Sequence, residues 1–275
     1  MDQKERLVEL FQCLCAEHPQ YFGWKVSEEE KRKAVRALMN LRMPGQITKS
    51  FLTVQDAFLQ QEAREKGIVE VSELSTIQET MQANWKNADK TVLWRGDITR
   101  LRVDAIVNAA NSEMLGCFVP CHGCIDNAIH SAAGLELREC CAHYMKRQRN
   151  KYGKDYKEPT GRAVITPAYN LPSKYVIHTV GPIVQGKVTA LDRMQLKSCY
   201  QSCLMLAEKM ELESIAFCCI STGEFRFPKQ EAAEIAINTV YSFLNENQML
   251  KKIIWNVFQE EDFQIYQSIL QQKKS

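Results

Sequence analysis

At 275 residues, 45% of them hydrophobic and 25% charged, the chain is long enough for one large core or two unequal domains, and its composition excludes disorder, a collagen-like repeat or a disulfide miniprotein. The net charge of +2, with no basic block, gives no footprint for nucleic-acid backbones or anionic lipid; with no basic-then-apolar leader and no apolar run of about 20 residues, a cytoplasmic protein with no membrane span is expected. Eleven cysteines, an odd number dispersed along the sequence, fit free thiols in a reducing compartment better than a disulfide framework.

Residues 1–85 carry helical periodicity and no convincing strand alternation. The segments "ERLVELFQCLC", "SEEEKRKAVRALMNL" and "TVQDAFLQQEAREKG" each predict a helix, the second opening on Ser27 with Glu30 three residues later, the third closing at Gly67. A small all-helical N-terminal domain is expected there, without legible chemistry of its own.

From about residue 90 the texture changes to short Val/Ile-rich runs separated by helical stretches. "TVLWRG", "AIVNAA", "RAVITPAY", "YVIHTVG", "SIAFCCIST" and "KIIWNVF" read as strands of a largely parallel or mixed sheet. "CIDNAIHSAAGLELRECCAHYMKRQ", "LDRMQLKSCYQSCLMLAEKME" and "PKQEAAEIAINTVYSFLNEN" read as helices between them, so residues 86–275 form an α/β layer sandwich. In such sheets ligands gather beyond the carboxyl ends of the strands, which directs attention to four strand-exit loops: 96–99, 108–127, 178–182 and 220–228.

Each loop carries groups of interest, and each has an ordinary structural alternative. Asp97 can accept from an amine or hydroxyl, or cap a turn. Asn108 and Asn111 leave a strand three residues apart with carboxamides suited to a polyhydroxylated ligand, although Asn is also a common turn former. Ser221, Thr222 and Gly223 lie just before a helix, where amides and hydroxyls suit a phosphate, or form a plain strand-to-helix turn. Residues 117–124, "CFVPCHGC", gather three thiols and one of only five histidines, a composition that points to metal or catalysis. Asp126 opens the next helix as a first-turn carboxylate or a catalytic one. His130, His143 and His178 sit in apolar patterns and read as satisfied packing histidines with no second metal site.

Taken in order, "GDIT", "VDAIVNAAN", "IDNAIHSAAG", "GRAVITPAYNLPSKYVIHTVGP" and "STGEFRFP" resemble a macrodomain, the three-layer α/β/α module with a mixed sheet that binds ADP-ribose. Where ordinary macrodomains have a glycine-rich run, this chain has "CHGCID". That departure and the helical extension are similar to the zinc-containing macrodomains of bacteria and fungi, which hydrolyse protein-linked ADP-ribose. The resemblance implies one zinc ion on Cys117, His122 and Cys124, and Asp126 as the residue that orients or activates the attacking water. It also implies Asp97 and the Ile98 backbone near adenine, Asn108 and Asn111 near the distal ribose, Ser221, Thr222, Gly223, Glu224 and Phe225 around the diphosphate, and Phe258 stacked on adenine. Without the resemblance Phe258 reads as core.

C-x4-H-x-C also has its own chemical logic: three ligands leave zinc a fourth position for water or substrate. Cys121 complicates that, because its thiolate as a fourth ligand would close the shell and make the site structural; incidental buried thiols are the third possibility. Arg226 stands where ordinary macrodomains usually have glycine, and is directed either to solvent or to a ligand. The expected activity is zinc-dependent removal of mono-ADP-ribose from modified protein side chains with acidic acceptors. Its alternatives are a non-catalytic ADP-ribose-binding module with structural zinc and a metal- or redox-sensing interaction protein. By resemblance, a sirtuin-type ADP-ribosyltransferase and, in bacteria, a lipoylated carrier protein are the partners.

Overall fold

Three capped helices open the chain: α1 (Gln3–Ala16) on an Asp2/Glu5 capping box, α2 (Glu28–Leu41) on the Ser27 hydroxyl, which accepts from the Glu30 amide, and α3 (Lys49–Lys66) on Thr48. α3 stops at Gly67, whose φ of 81° is the left-handed exit that glycine allows. The computed structural model describes residues 1–21, 23–247 and 249–272. Leu10 and Leu14, Val35 and Leu38, and Phe58 and Leu59 bury against one another in a core distinct from the main one. The chain then runs through β1 (Val69–Glu70) and α4 (Ile77–Met81), where Val71, Ile77 and Trp85 join the larger core.

The main sheet is built from β2 (Thr91–Arg95), β4 (Ala105–Ala110), β5 (Ala163–Pro167), β6 (Tyr175–Val180), β7 (Ser214–Phe217) and β8 (Lys252–Val257), while β3 (Leu101–Arg102) pairs with β1. Its order is β2-β8-β7-β4-β6-β5, parallel except for β5, which runs antiparallel to β6 at the edge. Ile106 and Val107 on β4 and Val176 and Ile177 on β6 are all fully buried, as expected of central strands covered on both faces. The helices α5 (Ile125–Ala133) and α6 (Leu135–Tyr152) pack together, and α7 (Ala190–Lys209), α8 (Lys229–Glu246) and α9 (Glu260–Gln272) pack in succession. This is the three-layer α/β/α fold with a mixed sheet and a helical N-terminal region.

One expected helix is in fact two. The segment starting at Cys124 breaks at Gly134, whose φ of 94° ends α5 and redirects α6. Both halves keep apolar residues at helical spacing, so periodicity alone runs through the break.

The topology sets the site. β2, β4, β6, β7 and β8 run parallel, so their carboxyl ends deliver Asp97, Asn111, Gly181, the 218–227 loop and Phe258 to one edge of the sheet. Among the described residues no helix is long and apolar enough to cross a membrane.

Candidate active site

β4 places Asn108 directly opposite His178 on β6. Asn108 is fully buried, and its Nδ2 contacts Asp126 Oδ1 at 2.8 Å and His178 Nδ1 at 3.1 Å. Asn111, one residue past the strand, reaches Asp126 Oδ2 at 3.3 Å and the Gly116 carbonyl at 3.0 Å, while its Oδ1 accepts the Glu113 amide. Both carboxamides therefore converge on Asp126. Burial raises the Asp126 carboxyl to about 6, against the opposing pull of Asn108 and Arg138. A carboxyl poised there exchanges protons near neutrality, the range in which a general acid or base works best.

The cysteine-rich loop lies just upstream. Cys117 Sγ and His122 Nδ1 are 3.7 Å apart, and one ligand atom from each of Cys117, His122 and Cys124 lies within 4.8 Å of the other two. Zinc with Zn–S of about 2.3 Å and Zn–N of about 2.0 Å in a tetrahedral shell holds such atoms about 3.5 Å apart, so the donor set fits that ion. Cys124 also caps α5, its sulfur accepting the Asn127 amide at 3.4 Å. Burial pushes its thiol up to about 12, and the neighbouring Cys117 and Asp126 add to the rise although the Asn127 amide opposes it. A divalent cation held there would reverse that balance, releasing protons on binding.

Cys121 turns away from this group. Its amide donates to Asn40 Oδ1 at 2.9 Å and its sulfur contacts the Lys33 carbonyl at 3.4 Å, with φ at 52°. The convergent set is thus three ligands, with the loop's remaining thiol tied to α2.

The loop after β7 meets this one: His122 Nε2 and Glu224 Oε1 are 3.6 Å apart. Ser221 sits at φ 66° with its hydroxyl buried and without a hydrogen-bond partner among the described residues. Gly181, from the loop after β6, makes room for it, since a Cβ there would lie 2.0 Å from Ser221 Oγ. The Thr222 hydroxyl donates to the Cys219 carbonyl, Gly223 and Glu224 are exposed, and the Phe225 carbonyl accepts from Val184. Arg226 is exposed and holds φ at 58°, the left-handed backbone for which glycine would be the unstrained choice.

At the far end, Asp97 Oδ1 accepts from the Thr99 amide at 3.0 Å and hydroxyl at 2.7 Å, a turn-capping arrangement, and the Ile98 side chain is buried. Phe258 is 72% exposed, so the reading of it as core fails; Phe227, by contrast, is buried.

The histidines divide. His178 is satisfied, with Nδ1 facing Asn108 and Nε2 facing Thr166 Oγ1 at 3.0 Å, and His143 is exposed against its own helix. His130 is buried with neither ring nitrogen hydrogen-bonded among the described residues, so satisfied packing does not describe it; its Nε2 stands 3.5 Å from Asp126 Oδ1. His130, Cys141 and His178 form a second group with ligand atoms within 4.8 Å, which spacing along the sequence did not reveal. Three further residues at the site carried no sequence signal: Arg36, Asn40 and Arg138, all hydrogen-bonded to residues within 115–127.

The Macro domain profile matches residues 107–236. The chain is 48% identical over 272 residues to a protein-ADP-ribose hydrolase of Treponema medium, covering 98% of this chain and 100% of that one. It is 44% identical over 241 residues to a protein-ADP-ribose hydrolase of Staphylococcus aureus strain MRSA252, covering 87% and 85%. Among solved structures, the Trypanosoma brucei macrodomain in complex with ADP-ribose superposes with a TM-score of 0.63 at 30% identity, over 85% of this chain and 94% of that one. With its candidate residues gathered where the parallel strands exit and identity running the full length of a relative, the chain belongs to the macrodomain family.

Proposed function

We propose that this macrodomain is a zinc-dependent protein-ADP-ribose hydrolase that removes mono-ADP-ribose from acidic side chains of modified proteins. The observation that carries this reading is the convergence of Cys117, His122 and Cys124, the last of them two residues before the buried Asp126, whose carboxyl burial raises to about 6. The names and identities of the two bacterial relatives support it, as does the ADP-ribose bound to the trypanosomal macrodomain.

Zinc on Cys117, His122 and Cys124 would supply a Lewis acid at the reactive end of the nucleotide sugar. The protein's own groups do the rest. Ser221, Thr222, Gly223, Glu224 and Phe225 receive the diphosphate, with the unpartnered Ser221 hydroxyl free to donate. Asp97 and the Ile98 backbone meet the adenine edge, and the exposed Phe258 ring offers a face for stacking. Asn108 and Asn111 orient Asp126 and flank the distal ribose. Asp126 takes a proton from the attacking water through Oδ2, the oxygen bound only by the longer Asn111 contact. The water oxygen joins the anomeric carbon and the acceptor side chain leaves as its carboxylate. We also take residues 1–85 as the helical extension and 86–275 as the macrodomain proper. The cytoplasm is the expected compartment, with a lipoylated carrier protein and a sirtuin-type ADP-ribosyltransferase as expected partners.

The test combines metal analysis with ADP-ribose release from a protein modified on acidic residues, with and without chelator. Cys124→Ala should lose zinc and turnover together. Asp126→Ala should keep zinc and lose about 10²–10⁴-fold in rate, the usual range for a missing general base. Full turnover by both variants would defeat the assignment; ADP-ribose binding that survives chelation, with no release by the unsubstituted protein, identifies a binding module instead.

A further inference from the structure

The cysteine-rich loop is held from outside the α/β core, by the N-terminal arm. Lys33, Arg36 and Asn40 fall on one face of α2, at helical spacing. Arg36 directs Nε and Nη2 to Asn127 Oδ1 at 3.2 and 2.7 Å, and Nη2 also to the His122 carbonyl at 3.4 Å. Asn40, buried, accepts the Cys121 amide at 2.9 Å and donates to Ser131 Oγ at 3.0 Å. The Lys33 carbonyl receives the Cys121 thiol at 3.4 Å.

Arg138 of α6 closes the arrangement from the other side. It is buried, donates to the Leu115 carbonyl at 2.8 Å, and collects the carbonyls of Met39, Asn40 and Arg42 at the end of α2 at 2.9, 3.0 and 2.6 Å. Its guanidinium lies 4.4 Å over the Phe118 ring. Asn127 links these contacts to the ligands: its Nδ2 donates to the Val119 carbonyl and its amide to Cys124 Sγ.

We infer that α2 forms the structural half of the metal loop, with Arg36 and Asn40 as positioning residues that hold Cys117, His122 and Cys124 together and keep Cys121 out of the shell. The inference rests on the zinc reading above for its metal clause; the positioning stands on the hydrogen bonds from α2 to the loop. A loop of this length, left to itself, samples many conformations, and each ligand bond would have to order it. Clamped at Leu115, Cys121, His122 and Asn127, it presents the three ligands already gathered. Cys121 at φ 52° is the local cost of that clamp, a backbone that a free non-glycine residue rarely keeps.

Full-length Arg36→Met, Arg36→Lys and Asn40→Leu proteins test this by two measurements: zinc affinity from chelator competition, and amide hydrogen exchange in the metal-free state. Arg36 is only half-buried and lies outside the arm's apolar core, so exchange in α1 and α3 reports whether the arm stays folded. Arg36→Met and Asn40→Leu are expected to weaken zinc binding about 10–100-fold, as loss of a partner behind a metal ligand does. They should also speed exchange across residues 115–127 while α1 and α3 stay protected; Arg36→Lys, which keeps the charge but not the forked donor, should fall between. Variants with unsubstituted zinc affinity overturn the role in metal binding. Unchanged loop exchange overturns the positioning, and an unsubstituted protein that takes up no zinc overturns the metal reading, so the two failures are distinguishable.

Discussion

His178 shows how burial fixes a protonation state that the site depends on. Asn108 donates to its Nδ1, which leaves the remaining proton on Nε2, facing Thr166 Oγ1. Burial lowers the ring to about 3, so it stays neutral wherever the protein is folded under ordinary conditions. The unfolded chain has no such restriction and takes up a proton near the usual 6.5. Below about pH 6.5 the unfolded state therefore binds a proton that the folded state does not, and stability falls with pH until the folded ring titrates near 3. His130, held well below its usual value by burial, acts with the same sign. His178→Gln should lower stability at pH 7, where the Asn108 and Thr166 contacts are disturbed, yet flatten its decline between pH 6.5 and 3. Denaturant titrations at several pH values check this, and an unchanged slope would show that His178 titrates in both states alike.

At the scale of the strands, Asp104 fixes where β4 begins relative to its neighbours. Its Oδ2 accepts the amides of Glu213 and Ser214 at 2.9 and 3.0 Å at the start of β7, its Oδ1 meets Lys174 Nζ at 2.7 Å, and its carbonyl accepts the Tyr175 amide that opens β6. Burial pushes its carboxyl up, but Lys174 and the Glu213 and Ser214 donors outweigh it, so the group stays below the usual carboxylate value of 3.8. Lys174 is mostly exposed and screened, which leaves the β7 donors as the main stabilising contacts. Because the folded value is depressed, this stabilisation is present above pH 3.8 and is lost as pH falls through the lower folded value. Asp104→Asn should cost about 1.5–3 kcal/mol at pH 7, the range for hydrogen bonds to a charged group, with the gap from the unsubstituted protein closing in acid. Urea midpoints at pH 7 and at pH 3 and below give the comparison. The strands themselves were readable because their apolar runs are short and bounded, and the site loops followed from the rule that parallel strands exit toward one edge. The break at Gly134 was hidden because helical periodicity continues on both sides. The clamp on the metal loop was hidden for another reason: Arg36 and Asn40 are separated from their loop partners by 81 to 91 positions and lie on a helix whose charged residues look like a solvated face.

Across the whole molecule, the arm and the α/β core interlock at the same break. Leu135, the first residue of α6, is buried not in the main core but among Leu10, Leu14, Val35, Leu38, Phe58 and Leu59. Its amide, left without a side-chain cap at Gly134, donates instead to Gln55 Oε1 of α3 at 2.9 Å, and Gln55 is itself fully buried. A Cβ on Gly134 would approach Gln55 Nε2 to 2.7 Å, so the glycine is needed for the close approach as well as for the turn. The arm therefore completes its apolar core with a residue of the domain it covers, while that domain satisfies a helix-start amide with a residue of the arm. Such reciprocity is expected to couple the unfolding of the two parts. Leu135→Ala should cost about 2–5 kcal/mol, the range for a buried leucine whose cavity cannot fully collapse. Because the cavity opens inside the arm, amide exchange should accelerate throughout α1, α2 and α3 as well as at the start of α6, and the loosened α2 should release its hold on residues 115–127. Exchange that rises only in α6, with the arm as protected as before, would mean that the arm's core stands without Leu135 and that the two parts are joined by their polar contacts, among them those of Arg36, Asn40, Arg138, Gln55 and Asp56.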